Sequence, residues 1–86
     1  MNYFVYILHC SDDTLYTGIT TDVSRRLEEH NGKVKGAKYT KMRQPVKLVY
    51  SAEFLNRSTA SIEECRIKKL SRKQKELLIN HSACII

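Results

Sequence analysis

The stretch Tyr3-Phe4-Val5-Tyr6-Ile7-Leu8-His9-Cys10, then Ser11-Asp12-Asp13, then Leu15-Tyr16-Thr17-Gly18-Ile19-Thr20, decides the fold. Residues 3–10 are mostly aromatic and branched aliphatic side chains. That composition suits a pleated strand, and the run is far too short for a signal segment or a membrane span. Ser11, Asp12 and Asp13 supply turn chemistry, because short polar side chains hydrogen-bond their own backbone. The β-rich run from Leu15 to Thr20 then returns, with Gly18 inside it. Two such runs joined by a tight polar turn predict an antiparallel hairpin.

Working outward, Thr20, Thr21 and Asp22 are good helix-capping residues. Val23 and Leu27 follow at i, i+4, in a short amphipathic helix that ends near Asn31-Gly32. Residues 32–45 carry Gly32, Gly36, Pro45 and many lysines, which predicts a basic loop with one helical turn near Lys38–Met42. Val46 to Phe54 reads as a third strand. Ser58 or Thr59 is expected to cap a helix starting near Ala60, with Ile62, Cys65, Ile67 and Leu70 on its apolar side. A break at Leu70-Ser71 separates it from a last helix, capped by Ser71 and running through Leu77 to Ile79.

The order is therefore β-β-α-β-α-α. The expected class is α/β (α+β): a small three-stranded antiparallel sheet flanked by helices, with the central strand undetermined. A chain of 86 residues supports one core and one domain. That domain is expected over residues 1–80, with residues 81–86 a frayed tail.

The net charge of +6 favours an acidic partner, nucleic acid before an anionic membrane. The charge is also segregated. Lys33, Lys35, Lys38, Lys41, Arg43 and Lys47 form one stretch without an acid, and Arg66, Lys68, Lys69, Arg72, Lys73 and Lys75 form another. A merely solvating surface mixes signs, so the two stretches read as a phosphate-binding footprint. Cys10, Cys65 and Cys84 are odd in number and widely spaced, which argues against a disulfide framework or a zinc site. A reducing compartment, the cytoplasm, is expected.

Several side chains are candidates for chemistry. Tyr6 and Tyr16 flank the hairpin and can approach beside Gly18. On spacing alone, cross-strand aromatic packing explains them as well. Arg26 and His30 share a helix side next to Val23 and Leu27. An arginine there needs an anion or must extend to solvent, and a phosphate would satisfy both residues. His30 by itself also reads as a C-terminal histidine facing the helix dipole. Glu63 or Glu64 offers the carboxylate a single Mg²⁺ requires; equally, Glu64 and Lys68 form an ordinary i, i+4 pair. No P-loop, dinucleotide fingerprint or Ser/His/Asp arrangement is present.

In their order along the chain these residues resemble the GIY-YIG nuclease superfamily, from about Tyr3 to Ile79. Val5-Tyr6-Ile7 corresponds to the first tripeptide of the family motif, and Tyr16-Thr17-Gly18 to the second. Asp22 to Asn31 looks like the arginine-bearing helix, with Arg26 at the motif position. Ala60 to Leu70 looks like the glutamate helix, with Glu64 four residues after Ala60. The Ile67–Lys73 stretch is similar to the short stand-alone bacterial proteins of the UPF0213 type. Val5 stands where the superfamily has glycine, Thr17 replaces isoleucine, and Asn80 matches the family's late asparagine.

The resemblance implies one-metal phosphodiester hydrolysis. Glu64 would ligate Mg²⁺ or Mn²⁺, Tyr6 would lie near the attacking water, Tyr16 would orient water or phosphate, and Arg26 would stabilise phosphoryl charge. His30 would support them. Lys35, Lys38, Lys41, Lys68, Lys69 and Arg72 would contact nucleic acid, DNA before RNA. With no accessory DNA-binding domain, specificity is expected to be low or supplied by a protein partner. The alternatives are a non-catalytic nucleic-acid-binding module on the same scaffold, or a protein-interaction domain.

Overall fold

The computed structural model describes residues 2–31 and 44–84. The elements are β1 (Tyr3–His9), β2 (Leu15–Thr20), α1 (Val23–Asn31), β3 (Lys47–Phe54), α2 (Arg57–Lys68) and α3 (Arg72–Cys84). This is the expected α+β order. The expected helical turn near Lys38–Met42, and with it Lys35, Lys38 and Lys41, lies outside the described residues.

The sheet order is β2-β1-β3, antiparallel throughout. β1 is central, which explains its composition: Val5, Tyr6, Ile7 and Leu8 are all buried because both faces of the strand are covered. One face sets Val5 and Ile7 against Ala60 and Ile67, with Leu15, Ile19, Val49 and Leu78 around them. The other sets Tyr6 and Leu8 against Cys10 and Val46, with Tyr16 and Leu27. A bulge between Ile7 and Leu8 shifts the β1–β3 register: Ile7 faces Tyr50 and Leu8 faces Leu48.

The hairpin turn is built as its polar residues predict. Asp12 Oδ1 accepts hydrogen bonds from the Thr14 amide at 3.2 Å and hydroxyl at 2.6 Å. Asp13 takes φ 67°, a left-handed conformation that aspartate tolerates better than most residues. Asp22 caps α1 by accepting from the Arg25 amide at 3.0 Å.

Two expectations are corrected in α2. Its cap is Asn56, whose side chain accepts from the Thr59 amide at 2.9 Å, so the helix starts at Arg57 rather than near Ala60. Asn caps at least as well as Ser or Thr, and Thr59 here lends its hydroxyl to Asn56 instead. The buried side is also different. Ala60 and Ile67 are buried, while Ile62 is 69% exposed. At 100° per residue Ile62 lies nearly opposite Ala60, whereas Glu63, Glu64 and Ile67 at i+3, i+4 and i+7 share its side.

The break after α2 falls where expected. Ser71 accepts from the Gln74 amide at 3.2 Å while the Gln74 side chain accepts from the Ser71 amide at 3.0 Å, a reciprocal capping box. α3 then runs to Cys84, past the expected end near Ile79.

Candidate active site

Tyr6 on β1 lies directly opposite Gly18 on β2. A Cβ on residue 18 would sit 2.7 Å from the Tyr6 hydroxyl oxygen, 2.9 Å from Tyr6 Cζ and 3.2 Å from Tyr16 Cε2. The glycine is therefore the floor across which the Tyr6 phenol lies and against which Tyr16 packs.

α1 brings two more groups over this floor. Val23, Arg26, Leu27 and His30 fall at i, i+3, i+4 and i+7, the set that shares one helix face. Leu27 packs with the Tyr6 cluster. His30, fully buried, places Nε2 2.9 Å from the Tyr6 hydroxyl. The His30 ring lies 5.0 Å from Tyr16 and 5.8 Å from Tyr6, and the two phenols are 6.3 Å apart, centroid to centroid. The end of α1 is pinned from the chain that follows. Gln44 Nε2 donates to the His30 carbonyl at 2.7 Å, and Asn31 exchanges hydrogen bonds with both the amide and the carbonyl of Val46.

Burial sets the protonation of this pair. His30 is lowered to about 4, mainly by loss of hydration and then by the Arg26 charge, while Glu29 opposes. The imidazole is neutral near pH 7. Burial raises Tyr6 to about 12; a hydrogen bond from Arg26 pulls the other way, and the charges of Tyr16 and Glu64 push it further up. Arg26 also donates from Nη1 to Glu29 Oε1 at 2.9 Å, and both that bond and the Tyr6 contact hold its proton more firmly.

The two glutamates of α2 part ways at opposite flanks of its buried stripe. Glu63 is spent on Arg66 through two hydrogen bonds of 2.6 and 2.7 Å, beside Tyr50. Glu64 pairs with Lys68 Nζ at 3.4 Å and acts on Tyr6 through its charge. Spacing left the choice of glutamate open; Glu64 is the one whose charge acts on Tyr6, from a helix that packs on the opposite face of the sheet. Tyr6, Tyr16, Arg26 and His30 thus form one cluster, with Glu64 at its electrostatic margin.

Not every candidate joins them. Lys69 caps the end of α2 and is exposed. Arg72 is committed to the hairpin turn, donating from Nη1 to the Asp13 carbonyl, from Nη2 to Asp13 Oδ1 at 3.1 Å and from Nε to Glu76 at 3.3 Å. Asn80 lines a cavity of about 320 Å³ with His9, Leu15, Val49, Arg72, Glu76 and Ile79. Leu15, Val49 and Ile79 belong to the cluster on the opposite face of the sheet, so this cavity is not at the tyrosine cluster. Glu29 is absent from the sequence candidates. Its i, i+3 spacing from Arg26 is the signal that would have found it.

Comparison with known proteins identifies the family. The model of the GIY-YIG catalytic domain matches residues 2–77. A UPF0213 protein of Desulfotalea psychrophila is 52% identical over 80 residues, covering 93% of this chain and 73% of its own. A UPF0213 protein of Lactococcus lactis is 56% identical over 80 residues, covering 92% and 76%. The solution NMR structure of a UPF0213 protein from Bacillus halodurans has a TM-score of 0.60 at 48% identity, over 93% of this chain and 84% of that one. The solution NMR structure of the protein EF2693 from E. faecalis has a TM-score of 0.66 at 40% identity, over 98% of this chain and 88% of that one. With a family model spanning most of its length and relatives half identical to it, the chain belongs to the GIY-YIG family, within the UPF0213 group.

Proposed function

We propose that the protein is a metal-dependent endonuclease that hydrolyses phosphodiester bonds in DNA, acting in the cytoplasm. The observation that supports this most is the set of groups converging on one phenol. The Tyr6 hydroxyl lies 2.9 Å from His30 Nε2, within hydrogen-bonding reach of Arg26 and in the field of Glu64. A module that only binds nucleic acid needs lysines and arginines, not a buried phenol–imidazole pair.

The donor set fits a single divalent ion. Glu64 is half-buried, on the sheet side of α2, and pairs with Lys68. Mg²⁺ commonly takes one or two carboxylates and completes its shell with water and substrate phosphate. Among the described residues no group of three or more His, Cys, Asp and Glu side chains gathers, as such a site requires none. Bound by Glu64, Mg²⁺ or Mn²⁺ would polarise the scissile phosphate and stabilise the leaving oxygen.

The side chains divide the remaining work. Arg26 stabilises the charge that builds on the phosphoryl oxygens, a contribution of about 3 kcal/mol in comparable sites. Tyr16 orients the water or the phosphate. Tyr6 faces the attacking water, and the hydrogen bond to His30 Nε2 fixes the direction of its hydroxyl. In the resting protein the hydroxyl proton stays on Tyr6, held near 12 against an imidazole near 4. Positive charge gathering beside the phenol draws the Tyr6 value down, so phenolate becomes accessible only when the site is loaded. Lys68 and Lys69, with Lys35, Lys38 and Lys41, contact the flanking backbone.

The test is incubation with branched, single-stranded and duplex substrates in Mg²⁺ or Mn²⁺, beside Glu64→Ala. The expected result is divalent-dependent cleavage that falls at least about 100-fold in the variant. Steeply salt-dependent binding without cleavage of any substrate would assign the non-catalytic binding module instead.

A further inference from the structure

We propose that Glu29 is an internal competitor for the phosphate site: its carboxylate occupies the part of the Arg26 guanidinium that a phosphoryl oxygen must reach, and nucleic acid binds by displacing it. The inference rests on the reading of the Tyr6–Arg26 cluster as a phosphate site and names what guards it.

The geometry is specific. Glu29 Oε1 sits 2.9 Å from Arg26 Nη1, and Glu29 Oε2 lies 4.0 Å from Arg25 Nε. On the helical wheel Glu29 falls between the two arginines, so a single carboxylate is shared by both. The side chains of Arg26 and Glu29 are 28% and 24% exposed, sheltered enough to hold the pair and open enough for a ligand to reach it. Tyr6 approaches the same guanidinium, so the cation is held between a phenol and an acid. A carboxylate presents two oxygens to a guanidinium much as a phosphate does. The pair is three residues apart on one helix and re-forms whenever a phosphate leaves.

A selectivity follows. An isolated phosphate must break the Arg26–Glu29 bond with one set of contacts. A nucleic-acid backbone brings neighbouring phosphates to the surrounding lysines and arginines, and their combined attraction offsets the displacement. Glu29 thus biases the site toward polymeric backbone and against mononucleotides and free phosphate.

The experiment uses the metal-free protein, so that cleavage plays no part. Fluorescence anisotropy measures binding of a short DNA duplex at low and moderate salt, and inorganic phosphate is titrated while the Arg26 Nε–Hε resonance is followed. Wild type, Glu29→Gln, Arg26→Ala and the Arg26→Ala/Glu29→Gln double variant are compared. Glu29→Gln is expected to bind duplex about three- to tenfold more tightly at low salt, with a larger gain for inorganic phosphate. The double variant is expected to show no gain over Arg26→Ala. Unchanged or weaker binding by Glu29→Gln, while Arg26→Ala loses affinity, would overturn the inference and leave Glu29 as a residue that merely positions Arg26. If Arg26→Ala binds as wild type does, the phosphate-site reading itself fails and this inference falls with it.

Discussion

Gly18 leaves the space that the Tyr6 phenol fills, and no other residue does this without moving the phenol. Gly18→Ala is expected to lower cleavage at least about 10-fold while costing only about 1–3 kcal/mol of stability, as overpacking does. The Tyr6 ring resonances should shift with the activity, and an active alanine variant with unshifted rings would refute the role. Thr17, in the same strand, has a buried hydroxyl with no partner among the described residues. Thr17→Val should therefore raise stability by about 1 kcal/mol in urea unfolding; a loss of stability would show that the hydroxyl is satisfied. His30 gives the protein an acid sensitivity. Its folded value, about 4, lies below its ordinary 6.5, so the unfolded chain takes up the proton first. Stability is full above about pH 6.5, falls as the pH drops toward 4, and loses up to about 3 kcal/mol over that window. His30→Gln should flatten this part of the stability–pH curve, and an unaltered slope would mean that another group titrates. Tyr6, Tyr16, Arg26 and His30 were each legible in the sequence. The approach of the two phenols beside Gly18 was legible from the hairpin; that α1 brings Arg26 and His30 to the same glycine was not, because local patterns do not encode how a helix packs on the sheet.

The helices place these groups by a common arithmetic. In α1 the set Val23, Arg26, Leu27, His30, and in α2 the set Ala60, Glu63, Glu64, Ile67, occupy i, i+3, i+4 and i+7. Each set turns one apolar stripe to the sheet with charged residues at its margins. The first set was partly visible through Val23 and Leu27. The second was misread because Ile62 and Cys65 suggested a different stripe: their hydrophobicity is plain in the sequence, while the small Ala60 that lets α2 approach the sheet is not. The cap was misplaced for a related reason, since Ser58 and Thr59 are as good as Asn56 by type and only geometry selects among them. Asn56→Ala is expected to cost about 1 kcal/mol, read as a lowered urea midpoint with an unchanged slope. No change would mean that Thr59 or Ser58 takes over the cap.

At the scale of the whole molecule the two faces of the sheet carry different work. One face, under α2 and α3, holds most of the aliphatic core and the cavity lined by Arg72 and Asn80. The other, under α1, holds the phenols, the imidazole and the guanidinium. β1 belongs to both, so its buried residues alternate between packing and chemistry. The antiparallel sheet and the element order were legible from hydrophobic patterning and turn chemistry; that β1 lies in the centre, and that Arg72 ties α3 to the hairpin turn instead of facing outward, depended on long-range pairing that local patterns do not encode. The net charge of +6 supplies attraction for a polyanion, but the specific claim is that a cation meets the phenol cluster at Glu64. Titration of the ¹³C,¹⁵N-labelled protein with Mn²⁺ tests it directly, through the paramagnetic broadening of aromatic side-chain resonances. Broadening of the Tyr6, Tyr16 and His30 ring signals that is abolished in Glu64→Ala is expected. Broadening centred elsewhere, or identical in the Glu64→Ala protein, would contradict it.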